Sequence, residues 1–67
     1  MSNTLQNKIS RLVDINGQND ALINILVGYC ENYIESPRPE SLFDILVGLR
    51  RIKQNTVQIR KILEELE

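Results

Sequence analysis

An all-α hairpin of two long helices is the fold class this sequence predicts, and three observations predict it. First, positions recur at alternating steps of four and three. They run from Leu5 through Ile9, Leu12, Asn16, Asn19, Ile23, Leu26 and Cys30 to Tyr33, then from Leu42 through Ile45, Leu49, Ile52, Thr56, Ile59 and Leu63 to Leu66. That is the a/d rhythm of helices that face other helices. Second, Ser36-Pro37-Arg38-Pro39 separates the two runs and is the only strong punctuation in the chain. Third, the charges of the two runs match when the chain is folded back on itself at Arg38.

Helix 1 is expected over residues 3–35. Its one weak stretch is Asn16-Gly17-Gln18-Asn19-Asp20, a run of poor helix formers that includes the turn dipeptide Asn-Gly. A break there gives three helices. The a/d phase passes through the run without slipping, which favours one continuous helix, bent if anywhere at Gly17. Proline at 39 has no amide donor and keeps Arg38 extended, so helix 1 stops near Glu35. Helix 2 is expected over 39–66, with Glu40 suited to the positive end of its dipole. So short a link makes the helices antiparallel neighbours.

Residues then come level when their numbers add to about 75. Lys8 and Arg11 fall beside Glu64, Glu65 and Glu67, and Asp14 falls beside Arg60 and Lys61. Acids at the end of helix 2 oppose its own dipole, so a role across the hairpin explains them better than capping. Exposed pairs contribute only ~0–1 kcal/mol each and serve register more than stability.

Length and composition bound the rest. A chain of 67 residues buries only about 60% of its unfolded surface and needs a staple or a partner to thicken its core. One cysteine rules out a disulfide within the chain, and the lack of histidine argues against a zinc site. Self-association is the remaining support, so the hairpin is expected to dimerise into a four-helix bundle. A net charge of −1 with both signs interspersed attracts neither nucleic acid nor membrane. The N-terminus lacks the apolar run of a signal peptide. The longest apolar stretch, Ala21 to Cys30, is interrupted by Asn24 and Gly28 and falls short of the ~20 residues of a span. A cytoplasmic protein is expected, and a lone thiol fits a reducing compartment.

Four constellations compete for a functional role. Asn16, Asn19 and Thr56, with Asn55 adjacent, form a polar layer in the a/d seam; such layers lower stability but select register and oligomer state. A solvated kink is the alternative. Leu22-Ile23-Asn24-Ile25-Leu26-Val27-Gly28 recurs as Leu42-Phe43-Asp44-Ile45-Leu46-Val47-Gly48. Two copies suggest a pseudo-twofold hairpin, not a solenoid. Gly28 and Gly48 lie off the a/d seam, where close approach of another helix is one motive for a mid-helix glycine. Near the turn, Ile25, Val27, Tyr29, Ile34, Phe43, Leu46 and Val47 widen the stripe beyond what two helices cover. Ile25, Tyr29, Phe43, Leu46 and Val47 are the expected docking contacts. Finally, Arg50, Arg51, Lys53, Arg60 and Lys61 make a basic face without interleaved aromatics. A solvated face that pairs with Asp14 and Asp20 is favoured over a phosphate grip.

Nothing suggests catalysis: there is no histidine, no glycine-rich phosphate loop and no nucleophile beside a base. Cys30 holds a core position where thiols are usually inert. No cofactor or metal is expected. The expected role is a small interaction module that docks by its helix surfaces, as a regulator, inhibitor, antitoxin-like partner or assembly adaptor. Its expected partners are a second copy and another protein. The alternatives are a nucleic-acid-binding regulator that uses the basic run, and a purely structural homo-oligomer. In outline alone, a hairpin of this size with a proline turn is similar to the small co-chaperones of secretion-needle subunits.

Overall fold

The computed structural model describes residues 2–66, which form two helices and no strand. Helix α1 spans Ser2–Glu35 and α2 spans Pro39–Leu66, 34 and 28 residues long. Helix α1 runs unbroken through Asn16–Asp20, and no residue there has a positive φ. The hairpin turn favoured by Asn-Gly needs positive φ at both central residues, so this local signal is overridden by the seam contacts of Ile15 and Asn19 on either side.

The link is three residues long and both helix ends beside it are closed. The Ser36 amide donates to the Asn32 carbonyl at 2.8 Å, and the Ser41 amide donates to the Arg38 carbonyl at 3.0 Å. Pro39 opens α2 at the position where its missing N–H has no helical partner. Glu40 lies in the first turn.

The helices are antiparallel. Asn19 meets Asn55, Leu26 lies over Gly48, and the Lys8 ammonium approaches the Glu65 carboxylate at 3.4 Å. The seam differs from the expected one by a rotation of both helices in the same sense. Leu12, Asn19, Leu26, Ile45, Ile52 and Ile59 keep their seam positions, but the alternate places belong to Ile15, Leu22, Gly48, Asn55 and Ile62. Their neighbours Asn16, Ile23, Leu49, Thr56 and Leu63 are exposed. The cause is a stripe three residues wide per heptad: periodicity locates the stripe, not the part of it that faces the nearest helix.

Two local features select the rotation. A Cβ on Gly48 would stand 2.6 Å from Leu26 Cδ2, so glycine here admits a close approach of the two helices. Gly48 is therefore a seam residue, contrary to expectation, whereas a Cβ on Gly28 meets nothing within 4 Å. The repeated heptapeptide is thus no geometric twofold, because its two glycines have different surroundings. Asn55 and Asn19 also satisfy one another when they share the seam.

The core is thin. Only Ile15, Leu26 and Ile62 are buried apolar side chains among the described residues. The molecule is a rod of 53 × 15 × 13 Å with a radius of gyration of 15.6 Å, against about 11 Å for a compact chain of this length. Its accessible surface is 5453 Å², against about 4,300 Å² for a compact monomer of this mass. Neither helix is long and apolar enough to cross a membrane.

The ion pair of Lys8 and Glu65 realises one expected contact. No ion pair joins Asp14 to Arg60 or Lys61, because those two basic residues lie on the arc of α2 turned away from α1. Asp14 instead shares a groove with Arg11, Gln18, Arg51 and Gln58. The expected contact of Glu67 lies outside the described residues.

Candidate interaction faces

The seam divides the hairpin surface into two long sides. On one, the residues next to the seam are Arg11, Gln18 and Ile25 of α1 and Asp44, Arg51 and Gln58 of α2. This side is polar away from the turn. Near the turn it becomes a groove lined by Leu22, Ile25, Leu26, Tyr29, Val47 and Gly48, with Asp44 at its rim. Three of the five expected docking residues, Ile25, Tyr29 and Val47, are therefore brought together. Phe43 and Leu46 are not: neither lines this groove. Leu46 stands one turn from Leu42 and Leu49, so it belongs to the edge of the opposite side.

That opposite side is mainly apolar, with one polar step at Asn16 and Thr56. Its residues next to the seam are Ile9, Asn16, Ile23 and Cys30 on α1 and Leu42, Leu49, Thr56 and Leu63 on α2, all exposed. Ile23, Leu26, Val27, Cys30, Ile34, Leu49 and Ile52 line an open apolar groove near the turn, with Glu31 at its edge. Leu49 is 52% exposed and Ile34 79%. Sequence reasoning placed most of these side chains in the hairpin's own seam and so missed the face they form. Cys30, expected in the core, is exposed on it.

The polar layer is real but is divided. Asn55 Nδ2 donates to Asn19 Oδ1 at 2.9 Å, in a contact where Asn19 is 9% and Asn55 3% exposed. No buried side-chain nitrogen or oxygen among the described residues lacks a partner. Asn16 and Thr56 stand at the same height on the apolar face, exposed. The Thr56 hydroxyl donates to the Ile52 carbonyl at 2.9 Å, which leaves its oxygen lone pairs open.

Arg50, Lys53, Arg60 and Lys61 share the outer arc of α2, while Arg51 turns into the polar groove with Arg11 and Asp14. All five are exposed. No tryptophan, tyrosine or phenylalanine lies between Arg50 and Lys61. Among the described residues no cluster of His, Cys, Asp or Glu could hold a metal ion. No family model matches the chain, and neither a curated protein nor a solved structure matches it.

Proposed function

We propose that this chain is a non-catalytic interaction module that works by packing its open helix faces against other helices. Its first partner is a second copy, forming a four-helix bundle. Its second is another protein seated in the turn-proximal groove of Ile25, Tyr29 and Val47, which makes the assembly a regulator, inhibitor or assembly adaptor in the cytoplasm. One observation carries this reading: one long side of the hairpin leaves the large apolar side chains Ile9, Ile23, Val27, Ile34, Leu42, Leu49 and Leu63 exposed. Apolar side chains exposed side by side in this way mark sites of association. Tyr29 suits the anchor of the second site, since aromatic residues in pockets dominate interface energies.

The test is the solution mass of the native chain at micromolar concentration, followed by titration with duplex and single-stranded nucleic acid. The expected mass is twice the 7.7 kDa of one chain, with nucleic-acid binding weak. A folded monomer overturns the self-association reading. Tight, steeply salt-dependent nucleic-acid binding that disappears when Arg50, Lys53, Arg60 and Lys61 are neutralised overturns the protein-docking reading.

A further inference from the structure

We infer that a second copy of this chain covers the apolar face of Ile23, Val27 and Leu49, with its turn at the same end of the bundle. This rests on the self-association proposed above and adds the face, the register and the direction.

The face is chosen by the contrast between the two sides. Next to the seam, one side carries Arg11, Gln18, Arg51 and Gln58, whereas the other carries Ile9, Ile23, Leu49 and Leu63. This side exposes seven large apolar side chains, Ile9, Ile23, Val27, Ile34, Leu42, Leu49 and Leu63, each at 47% or more, and a second copy is the partner that offers the same set in return. The apolar face also runs the length of a 53 Å rod, with one polar step at Asn16 and Thr56. A second copy offers a stripe of equal length with its own polar step at the matching height, as an isologous contact requires.

Charge decides the direction. Asp20 and Lys53 are level, exposed and in no ion pair, and they stand on the outer edges of this face on opposite helices. They cannot meet within one hairpin. A twofold axis along the rod sets α1 against α2 of the partner subunit in the register of the hairpin itself. Asp20 then meets Lys53 of the partner subunit, twice by symmetry. Val27 meets Leu46 of the partner subunit, and the Asn16 amide meets the open lone pairs of Thr56 of the partner subunit. A twofold axis across the rod sets like helices together instead. With the polar steps matched, Lys53 then lies against Arg60 of the partner subunit, like charge against like.

The experiment measures mass and one distance. Ser36→Cys in a Cys30→Ser background is spin-labelled, and the label-to-label distance is read in the dimer. Helix axes ~8–10 Å apart give a distance below about 30 Å for turns at one end. Turns at opposite ends are separated by some forty residues of helix, about 60 Å at ~1.5 Å per residue. Alongside it, Leu49→Asp is expected to weaken dimerisation at least a hundredfold and Val47→Asp to leave it within about threefold. Asp20→Lys is expected to weaken it several-fold at low salt, and Asp20→Lys with Lys53→Asp to restore it. A dimer with the long distance, or one dissociated by Val47→Asp and not by Leu49→Asp, overturns this inference while self-association stands. A native monomer overturns both.

Discussion

Two asparagines and three glycines show how much depends on single positions. Asn19 and Asn55 are worth keeping together or removing together. Asn19→Leu alone leaves the Asn55 amide buried without its acceptor and is expected to destabilise by ~1–3 kcal/mol. Asn19→Leu with Asn55→Leu is expected to be neutral or stabilising while admitting alternative registers, since polar seam residues select pairing at a cost in stability. Urea unfolding of the three variants, with mass measured in parallel, checks both statements. The glycines separate in the same way. Gly17→Ala and Gly28→Ala meet open space and are expected to stabilise by ~1 kcal/mol each through helix propensity. Gly48→Ala is expected to lose that gain, because the new methyl group would stand 2.6 Å from Leu26 Cδ2 and force that side chain to shift. Comparing thermal midpoints across the three variants is sufficient. Gly48 could not be recognised as special in the sequence: its heptapeptide twin places Gly28 in an equivalent context with no neighbour at all.

At the scale of the elements, the helix limits were legible and the helix rotation was not. Proline at 39 and the extended Arg38 before it have a local steric origin, so the expected 3–35 and 39–66 agree with Ser2–Glu35 and Pro39–Leu66. Rotation about the helix axis has no such local origin. Leu22 and Ile23, or Ile62 and Leu63, are equally apolar neighbours, and only the partner helix decides between them. The outcome is measurable. Ile62 is 4% exposed and Leu63 48%, so Ile62→Ala is expected to cost ~2–4 kcal/mol within the hairpin. Phe43 is 64% exposed, and Phe43→Ala is expected to change stability by less than ~0.5 kcal/mol. Chemical denaturation of each variant tests the rotation directly. A cost for Phe43→Ala as large as that for Ile62→Ala would show that Phe43 is buried in the protein as it stands in solution.

For the whole molecule, thinness is the governing property. A rod with three buried apolar side chains among its described residues has little to oppose the conformational entropy of 67 residues. Its unfolding midpoint is therefore expected to rise with protein concentration, as it does when association and folding are linked by mass action. Scanning calorimetry over a hundredfold range of concentration gives the answer, and an invariant midpoint would show that one hairpin is stable by itself. The two faces were only half legible beforehand. The sequence contained all their residues, but it could not assign Ile25 and Leu46 to opposite sides, because that needs the seam as a reference direction.

The three-residue link has a kinetic consequence. Every contact across the hairpin encloses a smaller one, so the helices can join like a zipper that starts at Pro37–Pro39 and runs outward. Closing entropy grows only slowly along the way. The Asn19–Asn55 clasp, 36 residues apart along the chain, sits midway as a catch. Beyond it lie Lys8 and Glu65, last to join and first to part. Amide exchange is expected to be fastest at the end distant from the turn and to slow sharply at the catch, dividing one uniform-looking rod into an opening half and a held half.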